Sequence, residues 1–231
     1  MRLIYKELGL EIELIENQVE NIVVESPKLY SNMLRELWNV QQGLTGAIKL
    51  ANEKGECKFS QYAKAIFTPF SIDCNEKRIL AKLYQELREV IFEDSAFERS
   101  FEEVKSTELK FLYKTIEKSP YNLTFDFDYD ITALFKLANL RIESESDSLL
   151  DGLIDYLRTV HKILNIDIII FVGIKQYLEE EELYNLFEFC RYEKIQLVLL
   201  DNHFIKGLPV EAMHIVDKDL CVIELAAQAT R

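Results

Sequence analysis

The sequence predicts an α/β protein: a head built on a mainly parallel sheet, with an all-helical leg inserted into it. Three patterns carry that reading. After Asn139, continuous apolar runs alternate with amphipathic stretches of helical period, as expected for strands buried on both faces and joined by right-handed crossovers. Between residues 75 and 139 the periodicity is helical. The first 25 residues carry short apolar series broken by polar residues and Gly9, as strands and a turn do. The head is therefore assigned to residues 1–74 and 140–231, and the leg to residues 75–139.

Taken in order, Leu3, Tyr5 and Leu8 form one apolar series, Ile12, Leu14 and Ile15 a second, and Ile22-Val23-Val24 a short buried run. Ser26-Pro27 starts a helix, with Ser26 as N-cap and Pro27 at the first position, where its missing N–H costs nothing. Leu29, Met33, Leu37 and Val40 continue that helix toward Gly43 and Gly46. Residues 52–75 read as irregular and short-stranded. Ile79, Leu80, Leu83, Tyr84, Leu87, Val90 and Ile91 make one amphipathic stripe, and Phe97, Phe101, Val104, Leu112 and Ile116 another. Two long helices thus meet around Asp94, and Pro120 ends the second. Leu140-Arg141-Ile142 is expected as a short strand and Leu149 to Leu164 as a helix, capped by Ser146 or Asp147. Ile166 to Val172 is a strand, Glu179 to Tyr192 a helix and Ile195 to Leu200 a strand, with short strands near Ile215 and Val222.

At 231 residues and 48% hydrophobic content the chain can bury a core without disulfide or metal staples, and it is too apolar to be disordered. No apolar run approaches the ~20 residues of a membrane helix, and the N-terminus lacks the features of a signal peptide, so a cytoplasmic protein is expected. Cys57, Cys74, Cys190 and Cys221 are widely spaced with no CxxC pair, and are read as buried free thiols. The net charge of −13 argues against a polyanionic partner on its own. Its distribution matters more: residues 75–139 carry 10 basic and 13 acidic residues, while the rest carries 17 and 27, so most of the surplus negative charge sits in the head.

The leg holds Lys77, Lys82, Lys105, Lys110, Lys114 and Lys118, the last three at four-residue intervals that align them on one helical face. Such a stripe fits phosphate, or it is a solvated face paired with Glu86, Glu102, Glu103 or Glu108. Asp126, Asp128 and Asp130 alternate with Phe125, Phe127 and Tyr129. That spacing could present hard oxygen ligands to calcium, or belong to a half-buried strand with Asp130 capping a helix from Ile131. Glu143 to Asp147 forms a second acidic patch. No GxxxxGK phosphate loop, GxGxxG or GxSxG elbow occurs. Leu197 to Asp201 resembles a magnesium-holding acid at a strand end, and Asp201 with His203 forms the pair that a metal-dependent nuclease or degenerate nucleotide hydrolase would use.

Asp126-Phe127-Asp128-Tyr129-Asp130-Ile131, Leu140-Arg141-Ile142-Glu143-Ser144-Glu145-Ser146-Asp147, Ile168 to Val172 and Leu197 to Asp201 resemble, in order and spacing, the spacer-acquisition accessory proteins of type II-A CRISPR systems. The resemblance covers most of the chain and rests on order, since no single motif is highly specific. It implies a head related to P-loop ATPases without their phosphate loop, a helical leg, a homotetrameric ring, bound calcium, and sequence-independent binding of double-stranded DNA ends without catalysis. It further implies work alongside the integrase pair and the RNA-guided nuclease. Carried over by position, the calcium ligands would be Asp126, Asp128, Asp130, Glu143 and Asp147; the leg lysines align less closely. The Phe-rich segment around Phe97 and Phe101 and the trailing Ala-Ala-Gln-Ala-Thr-Arg depart from the family's pattern. A ring would reconcile an acidic chain with a polyanion by gathering each copy's few lysines into one channel, with calcium neutralising carboxylates.

Overall fold

The computed structural model describes residues 1–143, 146–205 and 208–227. Ser144 and Glu145 of the second acidic patch and the last four residues of the trailing segment lie outside the described residues. The chain divides into two compact units, one formed by Met1–Cys74 with Ser144–Arg231 and the other by Asn75–Glu143.

The first unit is built on a six-stranded sheet in the order β10-β9-β3-β8-β7-β6. Its strands are β3 (Val19–Val24), β6 (Ala63–Ile66), β7 (Ile168–Val172), β8 (Gln196–Asp201), β9 (Glu211–Val216) and β10 (Val222–Leu225). All neighbours pair in parallel except the β9–β10 hairpin. β3 sits between β8 and β9 and is buried along its whole length, which is why its sequence does not alternate. Ile22, Val24, Ile168, Ile170, Val198 and Leu200 share one face. They pack with Met33, Leu37 and Val40 of helix α1 (Pro27–Gln41) and with a small antiparallel sheet. That sheet has the order β2-β1-β4-β5, from β1 (Arg2–Tyr5), β2 (Leu10–Glu13), β4 (Ile48–Asn52) and β5 (Gly55–Cys57). Gly9, at φ +62°, takes the left-handed turn between β1 and β2 that a side chain would disfavour. A single turn, α2 (Phe59–Tyr62), precedes β6. The opposite face, where Asn21, Leu199 and Asp201 fall by alternation, is covered by the buried stripes of α6 (Leu149–Leu164) and α7 (Glu180–Tyr192).

The second unit consists of α3 (Lys77–Glu93), α4 (Ser95–Glu117) and α5 (Ile131–Leu137). Asp94 lies between the two long helices and caps α4 by accepting from the Ala96 N–H. Several expectations are corrected. Leu140-Arg141-Ile142 is not a strand. Ile142 exchanges two hydrogen bonds with the Asn75 side chain and Leu140 O accepts from Tyr84 Oη, so local side chains take the backbone groups a sheet would have used. Ser148, rather than Ser146 or Asp147, caps α6, through Asp151 N. Ser26 occupies the N-cap of α1 without making a side-chain cap bond. Phe97 and Val104 are exposed instead of packed; of that stripe Phe101 is buried, and Leu112 and Ile116 are half-buried. Of the cysteines, Cys74 and Cys190 are buried, Cys57 is half-buried and Cys221 is exposed, all as free thiols.

Candidate functional site

The lysine stripe is positioned by the packing of α4. Its inner face, with Phe101, Lys105, Glu108, Leu112 and Ile116, receives the extended segment 125–129. Along that segment the aromatic residues turn inward and the aspartates outward. Tyr113, Phe125, Phe127, Tyr129 and Phe101 form a continuous ladder of tilted rings with centroids 5.1–6.4 Å apart. Edge-to-face pairs of this kind add about 0.5–1.5 kcal/mol each beyond area burial. The Tyr129 hydroxyl donates to Glu108, and burial together with that carboxylate pushes the phenol up to about 12. Next to the ladder, Glu108, Phe111, Leu112, Leu134 and Leu137 help to line a mostly apolar cavity of about 340 Å³.

With roughly 100° per residue, Lys110, Lys114 and Lys118 fall on the side of α4 opposite Phe101. All three are exposed, and among the described residues none has a hydrogen-bond or ion-pair partner. The pairing expected with Glu86, Glu102, Glu103 or Glu108 is therefore not formed, and Glu108 is committed to Tyr129. Lys105 is different. Its ammonium lies 5.6 Å and 5.8 Å from the centroids of Phe101 and Tyr129 and 3.9 Å from Asp128, with a side chain only 22% exposed. It is a packing residue of the ladder. Lys77 is exposed at the start of α3 and Lys82 is half-buried on the same helix.

Of the acidic positions expected to hold calcium, those in the helical unit are engaged or exposed one by one. Asp130 caps α5 by accepting from the Thr132 N–H at 2.9 Å, and accepts from Arg88 Nε at 2.7 Å; the Thr132 bond foremost, with Arg88, holds its carboxyl below the ordinary value. Asp128 is 93% exposed and Asp126 is exposed beside it. Glu143 is exposed in the same unit, while Asp147 belongs to the other. Among the described residues no three acidic, histidine or cysteine side chains converge on a metal-sized point. Within the helical unit Asp130 is taken up by the α5 cap and Arg88, while Asp126, Asp128 and Glu143 stand exposed, so among the described residues these four do not fit a calcium site as arranged.

The first unit carries a second polar group, only part of which the sequence foreshadows. Asp201 ends β8 with 1% exposure, and neither carboxylate oxygen has a hydrogen-bond partner among the described residues. Burial pushes its carboxyl up, opposed by Lys175. Lys175 is itself buried and paired with Glu211, whose Oε2 also accepts from Asn21 Nδ2 at 3.0 Å and whose Oε1 accepts from the Leu208 N–H at 2.9 Å. The Tyr30 hydroxyl of α1 is pushed up to about 12 by burial, then by Asp201. His203 is not paired with Asp201; its Nδ1 lies 2.5 Å from Asn202 Oδ1 on the surface. Only Glu25 and Ser26 separate β3 from α1, too short a link for a glycine-rich phosphate loop. The signal for this cluster was Glu20-Asn21 inside an otherwise apolar strand: polar side chains on a strand buried on both faces require partners. Asn21 finds Glu211, and Glu20 finds His214 Nε2 at 2.8 Å.

Comparison with known proteins gives three likenesses. A family model described as CRISPR-associated protein (Cas_Csn2) matches residues 45–220. The "CRISPR-associated protein Csn2" of Streptococcus agalactiae is 19% identical over 214 residues, covering 93% of this chain and 94% of its own. Two solved structures of MJ1267, an ATP-binding cassette of an ABC transporter, superpose with a TM-score of 0.43. The first, in its ADP conformation, is 13% identical and covers 90% of this chain and 79% of its own. The second is 10% identical and covers 93% and 86%. A likeness that loose transfers nothing to this chain. The family match spans most of both units: the chain belongs to the CRISPR-associated Csn2 family.

Proposed function

We propose that this accessory protein of type II-A CRISPR defence binds double-stranded DNA through its lysine face, without sequence preference and without catalysis, as a homotetrameric ring that supports spacer acquisition. The observation that carries the proposal is the free, exposed row Lys110, Lys114 and Lys118 on the side of α4 turned away from its aromatic packing. Three unpaired ammonium groups at one-turn spacing, in the unit holding the smaller share of surplus negative charge, suit the regular charge of a phosphate backbone. Part of their role is local: Lys114 and Lys118 end α4, where cations complement the helix dipole. Assembly would multiply the row, so that placement outweighs net charge. Duplex DNA, further copies of this chain, the integrase pair and the RNA-guided nuclease are the partners of this reading. Calcium is left to the chelator arm of the test, because Asp130 is already engaged with Thr132 and Arg88.

The test is a shift assay on linear and closed-circular duplex at two salt concentrations, with and without a calcium chelator. Retention of linear DNA that weakens steeply with salt supports the proposal. Changing Lys110, Lys114 and Lys118 together to alanine should weaken binding equally on any sequence and reduce the salt slope by about one for each phosphate no longer neutralised. A flat salt response, or unchanged affinity of the triple variant, refutes it. Against the competing nuclease or nucleotide hydrolase stands the geometry of its pair, with Asp201 buried and His203 turned to Asn202. DNA incubated with magnesium or manganese should stay intact; cleavage abolished by Asp201→Ala would replace the binding reading.

A further inference from the structure

β10 is a short, exposed edge strand whose one charged residue is Glu224. It is the terminal strand of the six-stranded sheet, and all four of its residues are exposed. Three are apolar, with Val222, Ile223 and Leu225 at 40–47% exposure, and the strand carries no lysine or proline to deter pairing. Its backbone polarity is also defined. The Asp217 N–H donates to Cys221 O, so in the antiparallel ladder Cys221, Ile223 and Leu225 direct their main-chain groups toward β9. Val222 and Glu224 therefore direct theirs outward.

We propose that β10 pairs antiparallel with β10 of a second copy of this chain, about a two-fold axis at Ile223, joining two sheets into one. Self-complementarity selects this occupant and this register. Centred on Ile223, Val222 of one copy faces Glu224 of the other as a hydrogen-bonded pair on each side of the axis, so every outward N–H and C=O of the two residues is satisfied. Ile223 meets its mate in the close, non-hydrogen-bonded position, extending the apolar patch of Ile223, Leu225 and the half-buried Ile215 across the junction. A register centred on Glu224 would oppose two carboxylates directly, which is destabilising. In the chosen register each Glu224 faces a valine and keeps its own His214, at 3.8 Å.

The proposal does not depend on the lysine face. A chain that pairs through β10 and ignores DNA refutes the earlier reading alone; a chain that binds DNA as a ring yet gives no cross-link at Ile223→Cys refutes this one alone. The test uses the full chain with Cys221→Ser, to remove the exposed thiol beside the strand. Oxidation of the Ile223→Cys form should give a cross-linked dimer on a non-reducing gel. Leu225→Cys should not cross-link, because its mate would lie about 13 Å away along the strands. In parallel, Val222→Pro removes only an outward N–H and leaves the β9 hairpin bonds in place. Light scattering should then show the particle mass halved with the circular dichroism spectrum unchanged. Equal cross-linking at both positions, no cross-linking at Ile223→Cys, or an unaltered mass for Val222→Pro would overturn the proposal, including the case in which β10 accepts a foreign peptide strand instead.

Discussion

Asp130 and Asp201 are the same side chain with opposite fates. Asp130 is exposed, accepts from a helix N-terminal N–H and from Arg88, and its carboxyl is held below the ordinary value. Asp201 is enclosed at the end of a central strand, has no hydrogen-bond partner among the described residues, and its carboxyl is pushed up. Position in the fold, rather than residue type or the density of acids in the sequence, decides what a carboxylate does here. Phe-Asp-Phe-Asp-Tyr-Asp draws the eye as a metal site, yet Asp130 is taken by a helix cap and Arg88, and Asp128 stands near Lys105. The isolated Asp201 belongs to the only buried charge cluster among the described residues that contains a lysine.

The largest expected effect comes from removing that lysine. Lys175→Met should destabilise the first unit by about 3–5 kcal/mol, the scale for leaving a buried partner charge unpaired. Hydrogen exchange in β8 and β9 should accelerate while α5 is unaffected; an effect below about 1 kcal/mol would mean that Glu211 finds water instead. Asp201→Asn should act in the other direction once pH exceeds the folded value, because the amide cannot ionise in that enclosed position. The sign follows from linkage. A carboxyl raised in the folded state contributes stability fully present below its unfolded value, about 4, and lost as pH rises through the folded value. Unfolding midpoints of the parent should therefore decline across that window and those of Asp201→Asn should not; parallel curves would contradict the burial argument.

Asp130→Ala should cost about 0.5–2 kcal/mol, chiefly through the α5 cap, because the exposed Arg88 pair is screened by solvent. Its pH dependence is the mirror image. A carboxyl lowered in the folded state contributes stability present above about 4 and lost as pH falls through the folded value, so the gap between parent and variant should close in acid. A gap that persists at low pH would assign the loss to packing of α5. The smallest structural effect is expected from Lys110→Ala, within about 0.5 kcal/mol, since an exposed and unpaired side chain has little to lose. A larger cost would mean that the lysine face holds the fold.

The strands and helices were legible because period and burial coincide. Ile168 to Val172 reads as a strand covered on both sides and is one; the stripe of α6 lies inward as its spacing required. The failures have a common cause. Leu140-Arg141-Ile142 and the exposed Phe97 had the right composition, but neighbours distant in sequence, Asn75 and Tyr84 for the former, settled where the backbone went. The lysine row was visible as a spacing, whereas Lys105 looked identical to its neighbours until Phe101, Tyr129 and Asp128 closed around it.

The α/β class, the helical insertion, the absence of a phosphate loop and the four-residue spacing of Lys110, Lys114 and Lys118 can be read from the chain order alone, because local period, turn residues and motif spacing are properties of adjacent residues. It took the folded packing to settle which lysines stay free, that Asp130 goes to a helix cap and Arg88, and that Lys175, Glu211, Asn21 and Asp201 share one buried face. Charge and burial act through space, and the strands that bring those residues together lie far apart along the chain.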